Sequence, residues 1–381
     1  MSARSAADVK LLILGVYLKS EGYPNVKYRV QALKEASGFD VTEVNLSMWS
    51  DKQVGRRGIW RKLILSAWQL LFSHWVVLYR YIRACPSQNV YVPYPAVFVA
   101  VILSFLPKRY RPKKVVIDAF ISLYDTIVHD RKLVTSRSIG AKFLKKIERR
   151  AFEFADIVVT DTDQNSEYYS QVFELPLHKF VAIPLATNEN DMKATPYRSS
   201  IKAVKVLFVG TLVPLHGIET ILRAMTFLKD NNIEFTIIGD GQEGRLVEEY
   251  LKEHPDSITW VKTWQSASQI AKYIYEADIC LGIFGDGAKA QRVCPYKIYS
   301  YALCGRAIIT GESDWTRSAL DLGAAQAFET IPVGNDELLA VAIKELVGDE
   351  SKRGMLAEGA AKFYELTLSN AKASSEFNAL F

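Results

Sequence analysis

The chain of 381 residues has only four cysteines and five histidines, and neither type forms a redox or metal-binding pattern. No C-x-x-C spacing occurs, and no His/Cys/Asp cluster has the spacing of metal ligands. We therefore expect reduced thiols, mostly buried, and neither a divalent metal nor another cofactor. The four thiols are those of Cys85, Cys280, Cys294 and Cys304.

Long uninterrupted apolar runs are also missing. The first run, at 9–14, is short and is followed by Gly15 and Tyr17, which is unlike a secretory signal. The stretch 59–84 is interrupted by polar residues, which argues against a membrane span: Gln69, His74 and Arg80. The run 96–106 is too short to cross a bilayer and predicts a buried helix. A cytoplasmic protein is expected.

Length and composition predict more than one domain. Half of the chain is apolar (49%), and 381 residues exceed what one core usually supports. The stretch 187–203 is polar, contains Pro196 and lacks periodicity, so we place a break there. The prediction is an N-terminal domain at 1–195, a C-terminal domain at 196–350, and closing helices at 351–381.

The second half alternates strands and helices. Residues 206–209 are an apolar run that leads through Gly210 and Gly217 into a helix with apolar residues at helical spacing. Further βα units follow at 233–254 and 274–291, and then a helix and a strand within 292–313. This alternation predicts an α/β fold with a parallel sheet covered on both faces.

Glycines follow the predicted strands at the sheet edge where parallel sheets bind ligands: Gly210, Gly239, Gly241, Gly285 and Gly287. Arg292 and Lys297 stand beside the last of these turns. Backbone donors, helix starts and two cations together predict a phosphate site. Taken alone, the first turn is better explained as part of a plain βα unit, and the downstream glycines and cations are what favour a phosphate site.

At this point the chain resembles a known family. The segments FVGTLVPLHGIETILRAM, IIGDGQEG, LGIFGDGAKAQRV and PYKIYSYALCGRAIITG look like the C-terminal domain of glycosyltransferase family 4, over roughly residues 204–345. The segment 115–132 is similar to the acceptor domain of a surface-polysaccharide branch. The resemblance implies the GT-B architecture, two Rossmann-like domains whose sheets face an interdomain cleft, and a nucleotide-sugar donor. It also implies that the closing helices of 351–381 cross back onto the first domain.

The chain departs from the family at the donor site. Thr211 and His216 stand where many members have an arginine and a lysine on the donor diphosphate. Ser300 replaces a glutamate that holds the donor ribose, and Arg292 replaces an earlier glutamate. We infer that Arg292 and Lys297 neutralise the diphosphate instead. The predicted donor-binding residues are Gly210, Thr211, His216, Gly217, Gly239, Gly285, Lys297 and Ser300.

Acceptor-binding residues are predicted in the first half. Gly15 ends the first strand, and Arg29 lies on the following helix, where it is either an acceptor-phosphate ligand or a solvated charge. Asp118 ends a buried strand and is either a base that accepts a sugar hydroxyl proton or a helix cap. Ser122 and Asp125 follow in the same loop as predicted acceptor ligands. His129, also in this loop, could serve as an acid or base, but a lone histidine is more often a surface or packing residue.

Two motifs have competing explanations. Gly239, Gly241 and Gly244 spell the dinucleotide fingerprint, but the next strand, within 257–264, ends without the expected carboxylate, so NAD is disfavoured. Asp161-Thr162-Asp163 imitates a metal-binding D-x-D motif, but it precedes a helical segment and is better explained as a helix cap.

Charge is divided unevenly. Residues 1–200 carry 29 Lys/Arg against 18 Asp/Glu, whereas the remainder carries 18 against 24. Basic residues cluster in 52–62 and 108–114, and the aromatic stretch 59–84 lies between them. The segments 52–84 and 108–114 therefore predict contact with an anionic membrane, with a core helix as the alternative for 59–84. Nucleic acid is disfavoured because no recognition motif accompanies the charge.

The predicted function is transfer of a sugar from a nucleotide diphosphate to a saccharide or lipid-linked acceptor, at the inner face of the cell membrane. Asp118, Arg292 and Lys297 are the predicted catalytic residues. The resemblance implies retention of anomeric configuration and a role in polysaccharide or glycolipid synthesis. The alternative is a non-catalytic GT-B-like subunit of a polysaccharide-assembly complex, which Ser300 in place of glutamate would suit.

Overall fold

The computed structural model describes residues 9–17, 19, 24–36, 38–46, 72–84, 88–199, 202–228, 232–324 and 326–381. Chain contacts divide it into two compact units. Unit 1 comprises residues 1–187 and 370–381, and unit 2 comprises residues 188–369. Each contains one six-stranded parallel sheet.

Unit 1 has the strand order β2-β1-β3-β4-β5-β6, all parallel. Its strands are β1 Val9–Gly15, β2 Phe39–Asn45, β3 Asn89–Val92, β4 Lys114–Asp118, β5 Ile157–Thr160 and β6 Phe180–Ala182. Its helices are α1 Pro24–Glu35, α2 over residues 72–83, α3 Val97–Ser104, α4 Ile139–Phe154, α5 Asp163–Phe173 and α13 Asn370–Asn378.

Unit 2 has the order β12-β11-β10-β7-β8-β9, again parallel throughout. Its strands are β7 Val204–Val209, β8 Ile233–Ile238, β9 Thr259–Val261, β10 Ile279–Leu281, β11 Ala307–Gly311 and β12 Glu329–Ile331. Its helices are α6 Ile218–Thr226, α7 Gly244–Glu253, α8 Ala267–Glu276, α9 Tyr296–Leu303, α10 Asp314–Ala319, α11 Asp336–Gly348 and α12 Glu350–Phe363.

Local sequence explains these elements. The central strands are short apolar runs because helices cover both of their faces, so β10 and β11 are buried along their whole length. Helix α6 turns Ile218, Ile221 and Leu222 into the core, as the spacing predicted. The predicted buried helix within 96–106 is present as α3. Helix α9 ends before Gly305, which adopts a left-handed φ of 63°, again as predicted.

The polar stretch predicted as a break is held to unit 2 by buried hydrogen bonds. The Tyr197 hydroxyl donates to Asp278 at 2.7 Å and accepts from Arg353 Nε at 2.7 Å. Arg353 also donates to Ser199 Oγ and to two carbonyl groups at the end of α11. Residues 188–199 therefore belong with unit 2, and the boundary falls after Thr187, whereas the sequence placed it between residues 195 and 196.

The C-terminus is divided between the units. Helix α12 and the turn that follows it belong to unit 2, and residues 370–381 belong to unit 1, whereas the sequence assigned all of 351–381 to closing helices. The amide group of Asn370 makes two hydrogen bonds to the backbone of Thr187, at 2.8 and 2.9 Å. Phe377 then packs edge-on against Tyr91, with ring centroids 5.3 Å apart. These contacts complete the core of unit 1.

Much of the predicted membrane segment 52–84 lies outside the described residues, as do residue 85 and its thiol. The described part, α2, presents Trp75 with 69% of its surface exposed, so this tryptophan does not pack internally as the core-helix alternative requires. No helix of the described residues has the length and apolar character needed to cross a bilayer.

We expect Arg353→Met to destabilise unit 2, because the substitution leaves buried carbonyl and hydroxyl groups without their donor. It also removes the charge that polarises the Tyr197 hydroxyl, which donates to Asp278. Leaving a buried donor or acceptor without its partner costs about 1–3 kcal/mol. Thermal unfolding measured by calorimetry tests this, with Lys352→Met, at the neighbouring and more exposed position, as the control. Equal unfolding temperatures for the two variants would contradict the expectation.

Candidate functional site

The strand order of unit 2 reverses direction between β7 and β10. These neighbouring strands are in register, with Phe208 opposite Leu281, and both run toward the same sheet edge. From β7 the chain goes outward to β8 on one side, and from β10 to β11 on the other. Ligands of open parallel sheets bind at such a reversal, beyond the carboxyl ends of the strands. The loops after β7 and β10 are therefore the first place to look for a site.

These two loops are packed backbone against backbone. The N–H of Phe284 donates to the carbonyl oxygen of His216 at 3.1 Å. A Cβ on Gly217 would lie 2.6 Å from the Gly285 nitrogen, and a Cβ on Gly285 would overlap the carbonyl groups of the 214–216 turn. Gly217 also has a left-handed φ of 63° and precedes α6. Only glycine allows this close approach at either position.

The loop after β8 is packed against the loop after β7 in the same way. A Cβ on Gly239 would overlap the Gly210 carbonyl, and a Cβ on Gly241 would lie 2.6 Å from the carbonyl oxygen of Leu212. Glu243 N–H donates to that same oxygen at 2.9 Å. Contact between two loops thus accounts for the first two glycines of the dinucleotide fingerprint. The three loops form one rigid backbone platform.

Lys297 extends from the first turn of α9 onto this platform. Its side chain is 8% exposed. Nζ lies 3.8 Å from the centre of the Phe208 ring and 3.4 Å from the carbonyl oxygen of Gly282. No carboxylate of the described residues forms an ion pair with it, and burial lowers the pKa of the ammonium group well below its usual range. An anion bound beside this buried amine would favour its charged ammonium form and offset the effect of burial, so the position is suited to receiving an anion.

His216 shares this environment with Lys297. The Lys297 Nζ and the His216 Cε1 atoms lie 2.9 and 3.0 Å from the point where a Cβ of Gly210 would be. Burial lowers the pKa of His216 well below its usual range, and the nearby Lys297 lowers it further. A hydrogen bond to the Thr211 backbone raises the pKa but does not outweigh these two effects. The ring is therefore neutral near pH 7, and its buried Nδ1 has no hydrogen-bond partner.

Two helices begin beside the platform without a side-chain cap. Gly217 precedes α6 and Pro295 precedes α9, and neither position has a capping hydrogen bond. The N–H groups of a helix's first turn have no partner within the helix, and the helix dipole is positive at this end. Together with Lys297, these groups favour a phosphate or diphosphate.

The remaining predicted donor residues lie around this centre. Thr211 is exposed in the loop after β7, and Ser300 is buried one turn beyond Lys297 on α9. Arg292 is also buried, but its Nε donates to the Ala288 carbonyl of its own loop at 3.1 Å. The contacts of Lys297 Nζ include Gly210, Phe208 and Gly282, and His216 lies beside it. The inferred guanidinium–ammonium pair stays a prediction.

Three functional neighbours escaped the sequence reasoning. The sequence assigned Phe208 only to the core, but the face of its ring contacts the Lys297 side-chain nitrogen. The Tyr301 hydroxyl accepts a hydrogen bond from the Val209 N–H at 2.9 Å and holds the end of β7. Thr310 Oγ1 accepts from the Ile283 N–H at 3.3 Å and holds the loop after β10. Each residue type is common in buried strands and helices, so the sequence contained no distinguishing signal.

In unit 1, the predicted residues Asp118 and Arg29 form a buried ion pair. Arg29 Nε lies 3.5 Å from Asp118 Oδ2, which also accepts a hydrogen bond from the Tyr91 hydroxyl at 2.7 Å. Arg29 is therefore not the solvated helix charge of the alternative reading. Its Nη2 donates to the carbonyl groups of Ile183 and Pro184, whereas its buried Nη1 has no hydrogen-bond partner.

Ser122 is held by a residue that the sequence did not single out. Glu148, fully buried on α4, accepts hydrogen bonds from the Ser122 hydroxyl and from the N–H groups of Leu123 and Tyr124, all at 2.9 Å. Burial raises the pKa of Glu148 to about 7, against the effect of these three donors. Glu148 thereby fixes the loop after β4, on which Ser122 lies.

Asp125 also has an internal partner. Its Oδ1 accepts a hydrogen bond from the Tyr168 hydroxyl at 2.9 Å, and that hydroxyl lies 2.8 Å from His129 Nδ1. Gly15, the last predicted acceptor residue, ends β1 and packs against the Tyr17 ring. The acceptor roles of these residues stay predictions.

The D-x-D motif has the structure of a helix cap, as expected. Thr162 is the N-cap of α5, and its side chain accepts from the Asn165 N–H at 3.2 Å. Asp161 accepts from the Asn165 side-chain amide at 2.6 Å. Among the described residues, no group of three or more His, Cys, Asp or Glu side chains is placed to hold a metal ion.

The site geometry can now be set beside known proteins. Residues 203–349 match a family model described as glycosyl transferases group 1. This match covers the β7–α11 region and therefore the whole platform and Lys297. None of the curated proteins compared with the chain matches it.

Several solved structures resemble the chain over nearly its full length. Anabaena Alr3699/HepE in complex with UDP has a TM-score of 0.68 at 13% identity, covering 98% of this chain and 99% of that one. Sucrose-phosphate synthase from Thermosynechococcus elongatus has a TM-score of 0.70 at 15% identity and covers 98% of each chain. WaaG, a glycosyltransferase involved in lipopolysaccharide biosynthesis, has a TM-score of 0.61 at 11% identity, covering 97% and 98%. These likenesses confirm the predicted α/β fold of the GT-B class.

We expect Lys297→Met to abolish binding of inorganic pyrophosphate while leaving the protein as stable or more stable. The substitution removes a buried cationic group that has no carboxylate partner among the described residues, and each 1 kcal/mol gained raises the unfolding temperature by about 2–4 °C. Thermal unfolding with and without pyrophosphate measures both effects, with Lys252→Met on the surface as control. A less stable variant that pyrophosphate still stabilises would contradict this role.

We expect Glu148→Gln to destabilise unit 1 by about 1–3 kcal/mol at neutral pH, because its amide NH₂ would face backbone donors. The raised pKa also makes the stability of unit 1 depend on pH. The wild-type protein loses the stability contributed by this group as the pH rises from 4.5, the usual pKa of a glutamate, to about 7. Unfolding measured across this pH range should show that loss in the wild type and in Glu153→Gln, an exposed control on the same helix. A Glu148→Gln variant with the same pH dependence would contradict the assignment.

Proposed function

We propose that the protein is a glycosyltransferase that takes a sugar from a nucleotide-diphosphate donor. The observation that carries this proposal is the buried Lys297 ammonium, without a carboxylate partner, at the strand-order reversal of a unit that matches glycosyl transferases group 1. The complexes of Alr3699/HepE with UDP and with UDP-glucose support the choice of donor class.

The proposed chemistry follows from charge. Cleavage of the bond between the sugar and the diphosphate leaves negative charge on the departing diphosphate. Lys297, the first-turn N–H groups of α6 and α9, and the backbone of the 210–217 turn would stabilise this charge as it develops. Phe208 supports the ammonium through its ring face. Because the donors are fixed by packed loops, little reorganisation accompanies the reaction.

Gly239 and Gly285 would keep the platform backbone close to the diphosphate. His216 and Thr211 line the same turn, and Ser300 would bond the donor ribose. Arg292 would add a second positive charge after its loop releases the Ala288 carbonyl. In unit 1, Asp118 would act as the base, and Gly15, Arg29, Ser122 and Asp125 would contact the acceptor.

The finer parts of the proposal extend the family resemblance. The acceptor would be a saccharide or a lipid-linked saccharide at the inner face of the cell membrane, in polysaccharide or glycolipid synthesis of the family 4 type. The anomeric configuration would be retained, and no metal or other cofactor would be needed. The exposed aromatic residues of α2 and the basic residues of 108–114 support a membrane-facing unit 1.

A second candidate is a non-catalytic, donor-binding subunit of a polysaccharide-assembly complex. The observation that favours it is Ser300, which stands where related enzymes are expected to have a glutamate. A serine hydroxyl is shorter than a glutamate side chain and uncharged.

The experiment uses a panel of UDP and GDP sugars, with NAD as a control. We expect thermal stabilisation by one donor class, and turnover when a membrane extract supplies the acceptor. Activity should persist in EDTA. Stabilisation without turnover would select the non-catalytic subunit, and stabilisation by NAD alone would overturn the proposal.

We expect Arg292→Ala to lower kcat about 10²–10³-fold, the range for removing one donor to the developing charge of a transition state. Arg317→Ala, a surface arginine on α10, serves as the matched control. The rate is measured as release of the nucleoside diphosphate at saturating donor. Full activity of Arg292→Ala would remove this residue from the site and leave Lys297 as the only side-chain cation proposed there.

A further inference from the structure

Every charged residue of the segment 131–147, which leads into and forms the first half of α4, is basic. It contains six lysines and arginines and no acidic residue. Lys142 and Lys146 are exposed one turn apart on α4, and neither forms an ion pair with a described residue. Concentrated charge of one sign creates a positive surface potential that attracts an anionic partner.

Large apolar side chains stand exposed within this same basic segment. Ile139 is 87% exposed, Leu133 is 69% exposed and Phe143 is 63% exposed. Ile139 and Phe143 are four residues apart, so they lie on one side of α4 beside Lys142 and Lys146. The opposite side of the helix packs into the core of unit 1 through Ala141, Ala151 and Phe152. Apolar side chains flanked by lysines are typical of helices that lie in a membrane interface.

A second exposed apolar row lies on α2. Phe72, Trp75, Tyr79 and Ile82 recur along one side of this helix and are all exposed. Helix α3 connects the two regions, because it packs against α4 and because the Phe98 ring meets the His74 ring of α2 edge-on. The two apolar rows therefore belong to one layer of helices in unit 1.

We propose that residues 131–147 are a docking element for an anionic lipid bilayer, with Leu133, Ile139 and Phe143 entering the interface and the surrounding lysines and arginines binding lipid phosphates. This proposal rests on the proposed function in one respect, namely that a lipid-linked acceptor is located at a membrane. The segment is separate from the predicted membrane segments 52–84 and 108–114.

A bilayer fits this surface better than a nucleic acid or a protein. Nucleic-acid backbones bind lysine and arginine but offer little to exposed aliphatic side chains, and the segment contains no aromatic stacking row. The exposed apolar side chains of this segment have lysines and arginines beside them, whereas the core of a stable protein interface is depleted of charged residues. Both features suit a bilayer, which combines an anionic surface with an apolar interior.

The test is co-sedimentation of the full-length chain with vesicles of phosphatidylcholine, with and without phosphatidylglycerol. We expect binding to the anionic vesicles that weakens with salt. Lys142→Gln/Lys146→Gln should lower the partition coefficient about 30-fold, from about 1 kcal/mol for each charge. Leu133→Gln/Ile139→Gln/Phe143→Gln should lower it about tenfold or more.

Matched controls come from unit 2. Leu338→Gln/Val341→Gln removes exposed apolar residues from α11, whose first turn is acidic, and Lys252→Gln/Lys272→Gln removes two exposed charges. Neither control should change vesicle binding. The proposal would be overturned if both the lysine variant and the apolar variant of residues 131–147 bound vesicles as the wild type does. A dimer seen in sedimentation velocity and abolished by the apolar variant would also overturn it.

The outcome is separable from the proposed function. The α4 variants should retain thermal stabilisation by UDP, because they leave unit 2 unaltered. Vesicle binding that is lost in these variants supports the docking element even if no donor is ever turned over. Conversely, donor turnover with no vesicle binding would overturn the docking element and leave the transferase proposal intact.

Discussion

A buried ammonium group without a counter-ion is the constraint around which unit 2 is arranged. Removing Lys297 from water costs several kcal/mol in the absence of a compensating charge. The fold compensates only in part, with the Phe208 ring face and one long hydrogen bond to Gly282. An unfavourable feature of this kind is typically retained at functional sites. Lys297 lies at the strand-order reversal of the sheet, which is where open parallel sheets bind ligands.

The glycines around this group act through backbone packing. Gly217, Gly239 and Gly285 each stand where a Cβ would strike a neighbouring loop, so the loops after β7, β8 and β10 interlock. An interlocked backbone holds its N–H groups at fixed positions, which is what stabilisation of a developing anion requires. The same packing explains why a dinucleotide-like glycine pattern appears in a unit that matches another family.

Sequence alone predicted the fold class, because alternating strands, helices and post-strand glycines follow from local pattern. Of the groups around Lys297 Nζ it singled out Gly210 and His216 but not Phe208 and Gly282. It could not predict how the two cations differ, because both are buried and only their tertiary contacts separate them: Arg292 Nε donates to Ala288, whereas Lys297 Nζ lies over the Phe208 ring. Glu148 was missed for a related reason. A glutamate among lysines on an amphipathic helix resembles a surface residue until the loop after β4 folds over it.

The two units contrast in how their charged groups are satisfied. In unit 1, Asp118 already has Arg29 and Tyr91, and Asp125 has Tyr168, so these carboxylates stabilise the fold whatever else they do. For Asp118 to act as a base it has to exchange one of these partners for a substrate hydroxyl. Among the described residues, the buried Nη1 of Arg29 has no hydrogen-bond partner. Under the proposed function this atom would attract an acceptor oxygen in unit 1, as Lys297 would attract the donor diphosphate in unit 2.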